Sequence, residues 1–182
     1  MKVNTKIIDS ANYRFLSNSD IVALYEYIKS SADYYKDIDC WFFNKVLPGI
    51  STGERTIITF KYNNYLAGLA IIKHTHLEKK ICTLKIGKPF QKIGLGYMLF
   101  EKCFELLNTE KPLATVSAEL LGGYVRILDF YGFKLENVLD NNYRATKSME
   151  YVYNGELATE TPVHTANDIN AYRQLSLERF LP

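Results

Sequence analysis

The apolar residues change period along the chain, and those changes mark its elements. From Ser17 to Ser31 they recur at Ile21, Leu24, Tyr25 and Ile28, one face of a helix that Asn18 or Ser19 can cap. Ala32 to Val46 carries an apolar, aromatic face in "DYYKDIDCWFFNKV" and predicts a second helix, ended by Pro48-Gly49. A first strand is expected at Lys6 to Asp9 or at Tyr13 to Leu16. The period then shortens. Arg55 to Tyr62 and Tyr65 to His74 are β-rich runs joined by Asn63-Asn64, a pair that tolerates positive φ and so predicts a tight hairpin. Lys80 to Ile86 is a third strand, and a helix follows to about Leu107, with Leu95, Leu99, Cys103 and Leu106 on one face and Met98 alongside. Asn108 to Pro112 ends it. Leu113 to Ala118 reads as a short strand, Leu120 to Tyr131 as a helix weakened near its start by Gly122-Gly123, and Phe133 to Val138 and Ser148 to Tyr153 as closing strands. The order is β-α-α-β-β-β-α-β-α-β-β. Glu156 to Pro182 is polar at first and then helix-like, and is separated here as a C-terminal tail from a domain spanning 1–155.

Composition narrows the class. A chain of 182 residues, 47% hydrophobic and 23% charged, is expected to be one domain, or one domain with an appendage, with an ordinary core. A net charge of +2 with interspersed signs gives no basic stripe for nucleic acid. Aromatics are abundant, with 14 tyrosines and 10 phenylalanines, and suit a core, a pocket rim or both. Cys40, Cys82 and Cys103 are odd in number and contain no CxxC, which fits a reducing compartment. The opening "MKVNTKIIDSANYRFL" has no long apolar run, so neither a signal peptide nor a membrane anchor is expected, and the expected location is cytoplasmic.

The chemistry concentrates in "GKPFQKIGLGYMLFEKCFELL", where Gly94 and Gly96 open a helix. A helix start exposes unpaired N–H groups and the positive end of the macrodipole, and glycines let an anion approach the backbone. Lys92 adds charge. The motif is neither a dinucleotide fingerprint, because Leu99 stands at the third glycine, nor a P-loop, because Tyr97-Met98 follows Gly96 where Lys-Ser/Thr is required.

Gln91-x-x-Gly94-x-Gly96, placed between an apolar strand and a Leu-rich helix, resembles the acyl-CoA pyrophosphate loop of the GNAT N-acetyltransferase superfamily. "RILDFYGFKLEN" is similar to the family's second segment, a helix ending in Gly132-Phe133, and the order of elements matches over roughly residues 5 to 155. The resemblance implies an α/β (α+β) fold with a mixed central sheet of 6–7 strands flanked by helices. It also implies acyl transfer from acetyl-CoA to a primary amine by direct attack on the thioester, with no metal. In such a site Leu84, Lys85 and Ile86 would bind the pantetheine arm and acyl carbonyl through their backbone. The amides around Gln91, Lys92, Ile93, Gly94, Leu95, Gly96 and Tyr97 would hold the pyrophosphate. A fixed N–H near Leu84 would stabilise the carbonyl oxygen as it becomes negative. Alignment and proton removal make up the rest of the catalysis.

The resemblance is incomplete at the acid and base. The family's basic glutamate has Lys80 at its nearer equivalent; Glu78 is the neighbouring candidate and Glu54 a second. The family's acidic tyrosine, four residues before the glycine of Gly-Phe, is Leu128 here. Tyr124 and Tyr131 flank that position, and Ser117 and Glu119 at the end of "LATVSA" complete the catalytic candidates. His74-x-His76-x-Glu78 has metal-ligand spacing on a continuing strand, but the segment is expected to turn there. Cys82 alternates with Leu84 and Ile86 and is expected on their face as a packed thiol. The acceptor side falls to "ADYYKDIDCWFFNKV" and "NNYRATKSMEYVYNG", whose aromatics and acids suit an amine-bearing small molecule, protein or aminoacyl-tRNA. Two alternatives stand beside the transferase: an acyl-CoA-binding module without transfer chemistry, and a tRNA-acetylating toxin. The sequence leaves a homodimer open.

Overall fold

The computed structural model describes residues 3–30, 37–141 and 148–156. The predicted tail beyond Glu156 and parts of both acceptor-side segments lie outside these residues. The chain begins with β1 (Asn4–Ile8), while Tyr13–Phe15 forms a single 3-10 turn. α1 (Asn18–Lys29) is capped by Ser17, one residue before the predicted caps: the Ser17 hydroxyl accepts from Asp20 N–H and the Asp20 carboxylate accepts from Ser17 N–H. The predicted second helix is a jointed path instead. α2 (Ile38–Trp41) passes through a π turn (Phe42–Val46) into α3 (Leu47–Ser51). Pro48 begins α3 rather than ending the helix before it: the wide π turn has already disrupted the i→i−4 ladder, and a first-turn proline has no N–H to miss.

The remaining elements follow the predicted order: β2 (Arg55–Tyr62), β3 (Tyr65–His74), β4 (Lys79–Ile86), α4 (Leu95–Leu107), β5 (Leu113–Ser117), α5 (Ala118–Phe130), β6 (Leu135–Asn141) and β7 (Ser148–Tyr153). Asn63 and Asn64 take φ of 48° and 67° in the β2–β3 hairpin. The strands form one seven-stranded sheet in the order β1-β2-β3-β4-β5-β7-β6. Every neighbouring pair is antiparallel except β4 and β5, which are parallel.

Alternation places a separate core on each sheet face. Ile58, Phe60, Ala70 and Ile72 pack with Leu95, Leu99, Cys103 and Leu107 of α4 and with Ile127 and Leu128 of α5. Ile57, Leu69 and Ile71 point the other way, against Leu24 and Ile28 of α1 and Phe42, Val46 and Ile50 of the jointed helix.

Bulges interrupt the alternation at two places that shape the site. Ile71 pairs with Thr83 and Ile72 with Ile81, leaving Cys82 as the extra residue of β4. Cys82 therefore packs against the α1–α3 core, whereas Leu84 and Ile86 pack against the α4–α5 core. This corrects the expectation that the three share a face: one bulged residue reverses the parity. In β3, Ala67 is skipped between the rungs Phe60–Gly68 and Lys61–Leu66. Its carbonyl accepts from Gly87 N–H at 2.9 Å and from the Tyr27 hydroxyl at 3.0 Å, tying the start of the glycine loop to β3 and α1.

Candidate acyl-CoA site

The site is built where the sheet separates. β4 and β5 share only the rungs Lys80–Leu113 and Ile81–Ala114, and beyond them the two parallel strands diverge. The bulge at Cys82 follows the last shared rung and bends β4 away. An opening results, with Leu84 on one bank and Ser117 on the other.

The direction of the β4 backbone groups follows from the hydrogen bonds. Tyr124, on α5, donates its hydroxyl to the Leu84 carbonyl. Gln91 donates its side-chain amide to the Ile86 carbonyl at 3.0 Å. In a strand the N–H and C=O of one residue point to the same edge, and successive residues alternate. Leu84 and Ile86 thus aim their N–H groups away from β3 into the opening. Lys85, between them, faces its backbone groups to β3, so of the three predicted pantetheine contacts Leu84 and Ile86 have the required direction and Lys85 does not. The Lys85 side chain instead donates to Ser30 Oγ, and its Nζ lies 5.6 Å from the Tyr27 ring centroid; burial lowers its pKa.

The predicted pyrophosphate loop is a strained turn onto a helix start. Lys92 has φ 64° and Gly94 φ 88°, both left-handed, and α4 begins immediately after Gly94. The first helical bond across the turn is Met98 N–H to the Gly94 carbonyl at 3.3 Å. The N–H groups of Leu95, Gly96 and Tyr97 are therefore those that a helix leaves without i−4 partners, and no side chain caps them. A Cβ built on Gly94 meets nothing within 4 Å, so glycine is required there by φ and by an open approach. Gly96 differs: its Cβ would sit 3.7 Å from Ile127 Cδ1, an ordinary contact. Gln91 holds the loop to β4, and Ile93 is exposed. Helix dipole, orphan donors and successive positive-φ turns make this loop fit a diphosphate.

The other bank carries an orphaned hydroxyl. Ser117 is 0% exposed, and its Oγ has no hydrogen-bond partner among the described residues. Its register partner on β7 is Glu150, 9% exposed. Directly paired antiparallel residues present side chains to the same face, so the hydroxyl and the carboxylate are neighbours beside the opening. Glu150 is a functional candidate that sequence reading passed over, although a buried acid within the alternating "SMEYVY" was a usable signal. Glu119 lies on the exposed first turn of α5.

Tyr124 brings a hydroxyl to β4 one turn from Leu128. Leu128 is buried in the α4–α5 core. Tyr124 is one helical turn earlier on the same side of α5, which carries its ring to β4. Burial pushes its pKa up to about 12, so it is a protonated donor throughout the neutral range. Tyr131 is engaged elsewhere. Its hydroxyl donates to Glu101 Oε1 at 3.2 Å and to the Tyr97 carbonyl at 3.3 Å, and its ring stacks on Phe100. Its pKa also rises to about 12, first through burial and then through Glu101. It joins α5 to α4 instead of facing the opening.

The predicted bases sit at the closed end of β4. Glu78 is six residues before Leu84, roughly 20 Å along a strand at about 3.3 Å per residue, and pairs with Lys73 Nζ at 2.8 Å. Glu54 precedes β2 at the same end, where its carbonyl accepts from His74 N–H. Both are misplaced for a base at Leu84, because parallel β4 and β5 open only at their C-terminal ends. The β3–β4 turn likewise separates the His-x-His-x-Glu residues: His74 Nε2 lies 3.4 Å from Thr56 Oγ1 while Glu78 turns back to Lys73. Among the described residues no three metal-ligating side chains cluster. Cys82 accepts from Arg55 Nη1 at 3.2 Å, and burial raises its pKa against the opposing pull of Arg55.

No protein-family model matches the chain, and no curated protein matches it in sequence. Solved structures do. A protein of Desulfovibrio desulfuricans described as a GNAT-family acetyltransferase superposes with a TM-score of 0.61 at 16% identity, covering 86% of this chain and 100% of that one. The ribosomal-protein-S18-alanine N-acetyltransferase of Escherichia coli gives 0.59 at 16% identity over 87% of this chain and 99% of that one. A Bacillus subtilis acetyltransferase in complex with CoA gives 0.55 at 15% identity over 86% and 100%. With its seven-stranded sheet, its β4–β5 opening and its glycine-led helix, the chain has the GNAT acetyltransferase fold.

Proposed function

We propose that the protein is an N-acetyltransferase that moves an acetyl group from acetyl-CoA to a primary amine by direct attack. The observation that carries this reading is the β4–β5 opening, lined by the Leu84 and Ile86 backbone and leading to the uncapped start of α4. Its donors match an acyl-CoA in sequence: strand amides for the pantetheine and acyl carbonyl, then helix-start amides for the diphosphate. Crystal structures of fold neighbours in complex with CoA, from Bacillus subtilis and Thermoplasma acidophilum, support the choice of ligand.

In this reading the Leu84 N–H polarises the acyl carbonyl. The acceptor nitrogen bonds to the carbonyl carbon as the C–S bond breaks. Tyr124 transfers its hydroxyl proton to the departing sulfur, exchanging a neutral carbonyl acceptor for a better, anionic one. Glu150 takes the proton of the acceptor ammonium before attack, the second proton that the nitrogen sheds as the amide forms restores the Tyr124 hydroxyl, and Ser117 bonds the reacting group on the same bank. The binding-only alternative rested on Leu128, and a hydroxyl one turn away weakens it. Neighbours named as a ribosomal-protein alanine acetyltransferase and a spermidine/spermine acetyltransferase support an amine acceptor without choosing its class.

The test is thiol release from acetyl-CoA across polyamines, peptides with free N-termini and aminoacyl-tRNA. Acetylation of one class, with kcat reduced about 10- to 100-fold in Tyr124→Phe at unchanged acetyl-CoA affinity, is expected. Full activity in Tyr124→Phe would remove its assigned role, and no acetylation of any class would return the protein to a binding module.

A further inference from the structure

Lys85 projects its half-buried side chain from β4 toward α1, on the sheet face opposite Tyr124. It pairs with Leu69, which belongs to the α1–α3 core, while its neighbours Leu84 and Ile86 pack against the α4–α5 core. Its ammonium donates to Ser30 Oγ at the end of α1 and lies 5.6 Å from the Tyr27 ring centroid. The other bank obeys the same alternation. Ala114 and Val116 of β5 and Tyr151 and Tyr153 of β7 pack against the α4–α5 core, so Ser117 and its register partner Glu150 face the α1 side. Counting on from the rung Ile81–Ala114 and passing over the extra Cys82, Lys85 stands level with Ser117. Lys85 and Glu150 thus share one face and one height on opposite banks of the opening. Two strand spacings, about 10 Å, separate their backbones, and the divergence of β4 from β5 adds to that gap.

We infer that Lys85 selects the acceptor by pairing with a carboxylate carried within a few bonds of the reactive amine, as in a free amino acid or a peptide whose first residue is acidic. The inference rests on the acetyl-transfer reading, in which Glu150 receives the acceptor's ammonium, and adds a substrate class to it. Charge decides the class. A carboxylate on one bank and an ammonium on the other complement an acceptor that brings the opposite pair. A polyamine would set a second cation against Lys85 and is disfavoured by the same arrangement. Burial lowers the Lys85 pKa, and a carboxylate brought by the acceptor offsets that desolvation.

Thiol-release kinetics test it with a peptide beginning in glutamate, the same peptide beginning in glutamine, free glutamate and spermidine. The wild type is expected to favour the glutamate peptide over the glutamine peptide at least about tenfold in kcat/KM. Lys85→Met is expected to raise KM for the glutamate peptide about tenfold while kcat moves less than about twofold, and Lys85→Arg to keep most of the preference. Acetyl-CoA affinity, measured by calorimetry, reports that each variant is folded. Turnover of free glutamate but neither peptide, with the same KM rise in Lys85→Met, would make the free amino acid the source of the carboxylate. Turnover of the glutamate peptide alone would make it an acidic chain end. Equal, nonzero turnover of the two peptides, a preference for spermidine over both, or a Lys85→Met loss confined to kcat would overturn the inference and leave acetyl transfer standing. Acetyl-CoA binding with no thiol released by any acceptor, aminoacyl-tRNA included, would sink the transfer reading and the inference with it.

Discussion

At the scale of single residues, the site depends on which backbone groups are left facing the opening. Leu84 and Ile86 face it because a single extra residue, Cys82, sets the phase of β4, and Tyr124 reads that phase from α5. Gly94 and Gly96 look equivalent in sequence but are not. Gly94→Ala, at φ 88°, should cost about 1 kcal/mol in denaturant unfolding, whereas Gly96→Ala should cost nothing measurable or gain slightly. Equal losses at both would show that the loop conformation is misassigned. The Tyr124 pKa of about 12 carries a sign. The proton donor stays loaded as pH rises through the assay range, so no fall in kcat between pH 7 and about 10 should trace to it. Glu150→Gln should lower kcat at least about tenfold, with activity recovering as pH rises and the free amine predominates. A variant as active as wild type at neutral pH would exclude Glu150 as the base. The glycine pair was legible in the sequence because its chemistry is local. Tyr124 was legible as a candidate beside Tyr131, but the choice between them depends on a helix position, and Glu150 depends on a cross-strand register to which the alternating "SMEYVY" gives only a partial signal.

At the scale of elements, strands were more legible than helices. β2, β3 and β7 lie where alternation and the Asn63-Asn64 turn put them. The jointed α2–α3 path escaped because Pro48-Gly49 reads as a stop, and only a preceding π turn makes the proline a start. The cap of α1 was read one or two residues late. Its box with Asp20 is local, but Ser17, Asn18 and Ser19 are all plausible capping types. Ser17→Ala should destabilise the fold by about 1 kcal/mol. The Ser17 bonds, side chain first and then backbone, hold the Asp20 carboxyl below its ordinary value. A depressed acid stabilises the fold above its unfolded pKa and loses that contribution as pH falls through the folded value. The Ser17→Ala penalty should therefore shrink when unfolding is measured at pH about 3 instead of 7. A penalty independent of pH would dissociate Asp20 from the cap.

At the scale of the whole molecule, one sheet carries two cores but is joined across β4 and β5 by only two rungs. Helices α4 and α5 bridge the separation on one face, and their packing lets a polar-backed opening persist within a continuous fold. A ligand that fills the opening and crosses the start of α4 bonds both halves. Acetyl-CoA at a hundred times its Kd should therefore add about 2.7 kcal/mol to stability, read as a rise in Tm. The topology was legible because element order, the glycine loop and Gly132-Phe133 agree with one another. The acceptor was not, because its predicted contacts rest on side chains from separate segments whose composition suits core packing equally well.

The central claim, that the opening and loop bind acyl-CoA, is tested most directly by titrating acetyl-CoA calorimetrically into the wild type and Gly94→Asp. Aspartate tolerates the left-handed φ better than most residues, so the variant should fold while placing a carboxylate against the diphosphate. Saturable one-to-one binding by the wild type, weakened at least about a hundredfold in the folded variant, is predicted. No binding by the wild type, or equal binding by both proteins, would contradict the account.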